Sequence, residues 1–383
     1  MRASFLIGRL FGIPIRINYT WFLIFGLVTL SLAMGQLPEA RDSFPVVVYW
    51  LAGLGGSLLF FASVLAHELA HSLVARAQGT PVREITLFLF GGVASIEQEA
   101  ERPQHELLMS GVGPVTSLAL ALIFAVLAVG LNLLSPVGSV LALVGRLSFT
   151  LASVNLGLAF FNMLPGLPLD GGRVLRAVVW QVTGNYRRAT LIASAAGRTI
   201  SFLLIGGGLL WTFLSWSSGV PNWNGLWLAF IGWFMDNAAT QSYQQTVLQE
   251  ALRRVRVADL MTSECARVPR GLAVSELVDH YILQQGGRCF TVTDGDALSG
   301  LVTVHNVRQL PRERWPFTPV GEIMVPYQGL VRAHPYEDAW TALLRMDQHN
   351  VNQMPVEEEG RLLGMLTREN LLRYVRARLE LGL

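Results

Sequence analysis

The chain has no lysine, only two cysteines and little charge of either sign. All 29 basic residues among its 383 are arginine, a bias of genomic composition that carries no functional reading. Cys265 and Cys289 are too few to staple a secreted scaffold, so the part that holds them reads as one facing a reducing cytosol. Charged residues make up 15% of the chain, where a soluble globular protein carries about 25%. With 52% hydrophobic residues and a mean hydropathy of +0.43, a disordered chain and a nucleic-acid binder are both excluded. The shortage is uneven. Residues 1–250 hold 13 basic and 11 acidic side chains, and residues 251–383 hold 16 of each. Two solvents are implied: a polytopic α-helical membrane domain over 1–244, then a water-soluble α/β tail over 245–383.

A bilayer-spanning helix needs about 20 apolar residues, with a range of roughly 17–25. Six stretches qualify, at Ile17–Leu37, Val47–Val74, Leu107–Leu134, Val140–Leu164, Thr199–Trp216 and Trp223–Ala239. No small-residue cleavage site follows the first of them and further spans come after, so it reads as a helix and not as a signal peptide. Cytoplasmic flanks carry the excess of arginine. Arg2, Arg9 and Arg16 precede span one; Arg76, Arg83 and Arg102 follow span two; Arg173, Arg176, Arg187, Arg188 and Arg198 follow span four; Arg253, Arg254 and Arg256 follow span six. All fall inside if both termini are cytoplasmic, and only Arg41 and Arg146 fall outside. Trp216, Trp223 and Trp227 flank the outer loop 217–225 and suit an interfacial aromatic belt. The expected location is the cell membrane of a prokaryote, crossed several times.

Span two ends in His67-Glu68-Leu69-Ala70-His71. On a helix, residues four apart share a face, so His67 and His71 can both reach one Zn²⁺, with Glu68 beside them. Charged groups deep in a spanning helix cost about 2.5–3.5 kcal/mol on insertion scales and mark function when they occur. A zinc site with two histidines needs a third protein ligand and an open position for water. Asp170 is the candidate, at the end of Asn162-Met163-Leu164-Pro165-Gly166-Leu167-Pro168-Leu169-Asp170-Gly171-Gly172-Arg173. The prolines and glycines of this segment break a helix, and irregular backbone at membrane depth is tolerated where it is buried in protein or lines a cavity.

The pairing of His-Glu-Leu-Ala-His with Asn-Met-Leu-Pro-Gly-Leu-Pro-Leu-Asp-Gly-Gly-Arg about a hundred residues later resembles the site-2 protease (M50) family of intramembrane zinc metalloproteases. The likeness extends through the membrane part, including Gly111-Val112-Gly113-Pro114. It implies one zinc per chain on His67, His71 and Asp170, Glu68 as catalytic base, and Asn162 assisting at the active site. It also implies regulated intramembrane proteolysis of a transmembrane substrate such as a membrane-tethered regulator. No PDZ-like domain is inserted here, unlike in some members. Asn155, about two helical turns before Asn162, reads as structural. The loop at 82–96 is β-prone and punctuated by glycine, so it either extends a substrate by strand addition or packs the cytosolic mouth.

The tail repeats itself. Val257-Ala258-Asp259-Leu260-Met261 returns as Val320-Gly321-Glu322-Ile323-Met324, and 298–306 returns as 362–370, an offset of 63 to 64 residues. These copies, at about 255–312 and 318–378, resemble a tandem pair of CBS domains, which implies an adenine nucleotide in the cleft between them or a homodimer. The matching ribose and phosphate positions are Thr303 with Asn306 and Thr367 with Asn370. Both copies carry asparagine where the family has aspartate. The tail's balanced charge argues against nucleic acid as a partner. A rival of another class stays open, a metal-ion transporter or channel gated by the CBS pair. Glu68 separates the two, because transport needs ligands and hydrolysis needs a base as well.

Overall fold

The computed structural model describes residues 4–38, 44–89, 91–96, 100–134, 136, 139–218, 223–262, 266–287, 289–294, 297–359 and 361–381. Arg2, Arg41, Phe90, Cys265 and residues 219–222 of the 217–225 loop lie outside them. The chain divides into two units, Met1–Gln244 and Gln245–Leu383.

The first unit opens with a hairpin of β1 (Ser4–Leu10) and β2 (Ile13–Asn18). Phe11 and Gly12 at its tip have φ of 51° and 80°, the positive values that a two-residue turn between right-twisted strands demands. Helix α1 (Thr20–Ser31) follows and ends in a π-helical turn at Leu32–Gln36. Next come α2 (Val46–Ala77), β3 (Val82–Phe88), β4 (Gly91–Ile96), α3 (Pro103–Leu134), α4 (Val140–Asn162), α5 (Asp170–Thr183), α6 (Tyr186–Ser217) and α7 (Asn224–Arg253). The four strands form one sheet in the order β1-β2-β3-β4. Its central pair, β2 and β3, is parallel, with Ile15 beside Ile85. The alternation of Ile13, Ile15 and Ile17 in β2 is why: one face buries three isoleucines, and Ile13, Ile15 and Ile85 pack on Leu65 and Leu69 of α2. The sheet is thereby fixed to the part of α2 that carries the His-Glu-x-x-His motif.

Four helices, α2, α3, α4 and α6, are long and apolar enough to cross a membrane. The expected count of six spans is not confirmed. Residues 20–36 form a shorter apolar helix, because Ile17 and Asn18 belong to β2. In α7 the apolar run stops at Met235, before Asp236 and Asn237. The fifth span also begins earlier than Thr199, at Tyr186. On α3, Leu122, Ile123, Val126, Leu133 and Leu134 are all exposed. A contiguous apolar face of that extent suits lipid and not water.

The second unit contains α8 (Val257–Leu260), β5 (Ala266–Pro269), α9 (Val274–Glu276) with a π-helical continuation, β6 (Cys289–Asp294), β7 (Ala297–Thr303), α10 (Val304–Gln309), α11 (Val320–Ile323), β8 (Val325–Pro326), α12 (Ala339–Gln348), β9 (Gln353–Glu358), β10 (Arg361–Thr367) and α13 (Arg368–Glu380). The hairpin β6–β7 recurs as β9–β10 sixty-four residues later, each followed by a helix, in line with the repeat in the sequence. The two copies exchange their leading segments. Val320 is buried with Val268, Leu277, Phe290 and Val302 of the first copy, whereas Val257 is buried with Met346, Met354 and Leu366 of the second. Backbone hydrogen bonds seal the exchange: Val320 N–H donates to Leu272 O at 2.8 Å and Val257 N–H to Glu337 O at 3.0 Å.

Candidate metal centre

One turn of α2 separates His67 from His71 and places them on one face, both buried. Their rings stand edge to face with centroids 4.8 Å apart. Each imidazole uses Nδ1 for orientation: His67 Nδ1 is 2.9 Å from Ser117 Oγ, and His71 Nδ1 is 2.5 Å from Met109 O. A carbonyl can only accept, so His71 carries its proton on Nδ1 and presents a lone pair at Nε2.

Asp170 starts α5, where a helix N-terminus favours a carboxylate. The irregular segment before it is held against α6: Leu167 N–H donates to Ala193 O at 3.1 Å, and Gly197 lies so close to Leu167 O that a Cβ there would collide with it. Asp170 Oδ2 thus arrives 3.1 Å from His67 Nε2 and 3.3 Å from His71 Nε2, while the two Nε2 atoms are 3.2 Å apart. Zinc bound at about 2.0–2.1 Å in a tetrahedron has ligand–ligand edges of about 3.3 Å, so the three atoms fit such an ion. Gly113 of α3 completes the cradle. A Cβ at that position would overlap Nε2 of both histidines.

Glu68 is half-buried and adjacent to this trio without belonging to it. Its Cγ lies under Gly92 of β4, where a Cβ would strike it. Strand β4 pairs only with β3 among the described residues, so it is an edge beside the glutamate. Asn162, the last residue of α4, donates Nδ2–H to Leu158 O at 3.0 Å, which leaves its second amide proton free of that bond. Asn155 is buried and donates to Leu151 O at 2.9 Å and Ser63 Oγ at 3.3 Å.

The tail residues singled out by the family resemblance make hydrogen bonds within their own chain. Thr303 caps α10 in a closed loop with Asn306: Thr303 Oγ1 donates to Asn306 Oδ1 at 2.7 Å, and Asn306 N–H returns to Thr303 Oγ1 at 3.3 Å. Thr367 accepts from Asn370 N–H at 3.1 Å, and Asn370 Nδ2–H donates to Leu260 O at 3.2 Å. All four line a cleft of about 1610 Å³ within the second unit, with Arg368, Arg373 and Arg376 beside them.

The model of Peptidase family M50 matches residues 55–144 and 134–205, intervals that contain all three candidate ligands, Glu68 and Asn162. Rip3 of Mycobacterium tuberculosis (strain ATCC 25618 / H37Rv), which bears the name of a zinc metalloprotease, is 37% identical over 378 residues, covering 98% of this chain and 93% of its own. The chain belongs to peptidase family M50. This M50 peptidase is also 34% identical over 381 residues to sll0528 of Synechocystis sp., likewise named for a zinc metalloprotease, with 97% and 96% of the two chains covered. Among solved structures, the site-2 protease from Methanocaldococcus jannaschii is 27% identical and covers 63% of this chain and 95% of that one, with a TM-score of 0.41. The CBS domain model matches residues 320–377 of the tail.

Proposed function

We propose that this M50 peptidase hydrolyses peptide bonds in or beside the membrane-spanning segments of other membrane proteins, using zinc held by His67, His71 and Asp170. The observation that carries this reading is the convergence of three ligand atoms within 4.8 Å of one another, with Glu68 next to them but outside the set. A transporter site has no need of such a group. Zinc bound there supplies a Lewis acid that makes water acidic near neutral pH and polarises a carbonyl. Glu68 takes the proton of the attacking water and returns it to the leaving amine. Asn162 turns its second amide proton to the developing oxyanion, an interaction whose loss costs about 2.7–4 kcal/mol in comparable hydrolases. The Met109 carbonyl holds His71 in the ligating tautomer, and Ser117 Oγ orients His67 by accepting from its Nδ1–H when Nε2 ligates.

A helical substrate hides its amides and must be unwound before attack. The exposed edge of β4, beside Glu68, offers main-chain partners to the unwound segment. The arginine distribution, taken with six crossings, favours both termini and the tail on the cytoplasmic side, with substrate entering from the bilayer. The tail acts as a nucleotide sensor or as a dimerisation module.

Glu68→Gln tests the reading. The variant is expected to retain one zinc per chain and to lose at least about 100-fold in cleavage of a transmembrane substrate, the lower end of general-base contributions. Wild-type turnover in Glu68→Gln would overturn Glu68 as the base, and a wild-type protein that holds zinc but cleaves nothing would leave the transporter reading standing.

A further inference from the structure

The metal centre is assembled from three helices, and its ligands are oriented from one of them. Ser117 and the Met109 carbonyl, which fix the two imidazoles of α2, both belong to α3. Asp170 comes from α5, and something must hold α5 in rotation and depth against α3.

Glu106 sits in the first turn of α3, one turn before Met109, and is 1% exposed. It meets Arg176 of α5, itself 7% exposed. Arg176 Nε donates to Glu106 Oε1 at 2.7 Å, and Nη2 donates to the same oxygen. Arg173 Nε stands 3.9 Å from that oxygen, and its Nη2 lies 4.0 Å from Met109 Sδ. Arg173 and Arg176 both reach Glu106 and so face α3, and Asp170 lies one turn before Arg173 at the start of the same helix. Beyond the pair, the Arg176 guanidinium lies 4.9 Å from the centroid of the Tyr186 ring at the start of α6.

A pair this deeply buried gives up the hydration of both charges, and apolar side chains of similar volume generally serve stability as well or better. What apolar side chains do not supply is direction. A planar guanidinium with two N–H groups on one oxygen docks in a single orientation.

We propose that the Glu106–Arg176 ion pair is a positioning device for the metal centre, locking the helix that bears Asp170 to the helix that orients His67 and His71. The inference rests on the metal-centre reading above. Its test uses full-length protein in detergent loaded with Co²⁺ in place of zinc, so that the visible absorption reports the ligand geometry. In Glu106→Leu/Arg176→Leu the thermal unfolding is expected to match wild type, while the cobalt spectrum shifts and the ion is lost to a chelator at least about tenfold faster, the range of outer-shell effects on metal sites. Arg176→Lys keeps the charge but not the fork, and the same two changes are expected in milder form. A folded double-leucine protein with wild-type cobalt spectrum and wild-type metal loss overturns the proposal; should that protein fail to fold, the same result in Arg176→Lys overturns it. His67→Ala separates the two levels, because undiminished cobalt binding in that variant would sink the metal centre itself.

Discussion

His67 and Glu68 are adjacent in sequence and divided in proposed task, one to ligate and the other left to move a proton. That division was legible without coordinates, because helical periodicity and metal-ligand chemistry both act over four residues. The meeting of Asp170 with the two histidines was legible too, through the motif that holds it. The groups that orient the histidines were not: Ser117 lies 50 residues from His67, and Met109 contributes a backbone carbonyl, which has no residue identity to read. Gly113 was noted only as part of a glycine-rich segment, and its role is spatial. Gly113→Ala is expected to abolish metal binding, since the added methyl group would occupy the position of both Nε2 atoms; metal analysis of purified protein checks this. Full zinc occupancy in that variant would mean that α3 yields more readily than close packing allows.

Elements made of local pattern were read well and elements made of distant pairing were not. The apolar runs of α2, α3 and α4 announced themselves by length. The end of strand β2, Ile17 and Asn18, was taken into a supposed first span, and its parallel pairing with β3 seventy residues on leaves no local mark. Helix α5 was hidden for another reason. Gly171 and Gly172 beside two prolines read as a loop, yet they begin a helix and are glycine because backbone atoms of 163–167 crowd against them. The β-prone reading of 82–96 corresponds to β3 and β4. If the free edge of β4 receives substrate, proline placed there removes a donor from the extended sheet. Val93→Pro and Ala94→Pro, made singly, are expected to include one variant whose kcat/KM falls up to about tenfold, the roughly 0.5–1.5 kcal/mol of one lost hydrogen bond, with zinc content unchanged. Metal analysis beside a cleavage assay decides it, and two fully active variants would leave β4 with a packing role.

At the scale of the whole chain, the shift in charge near residue 250 separated the part with apolar helices from the CBS pair, and the internal repeat showed the tail to be duplicated. The fragment Gln245–Leu383 is expected to fold alone, since it contains both of its cores, and to bind AMP or ATP weakly, because Thr303, Asn306 and Asn370 are occupied in hydrogen bonds with their own chain. Calorimetric titration measures the binding. Thr303→Ala is expected to cost about 0.5–2 kcal/mol of stability through its helix cap alone, with or without nucleotide; tight binding lost in this variant would instead make Thr303 a ligand contact. The exchange of Val257 and Val320 between the copies was invisible in the sequence, where each heads its own repeat. It makes inheritance and folding run on different units. The gene carries two successive modules, but neither encodes a complete core, so an accident that deletes one copy leaves the other with an unfilled interior. A cut in the connection at Pro311–Phe317 has the opposite effect. Each half still threads a segment through its twin, and the two pieces remain clasped as a noncovalent whole.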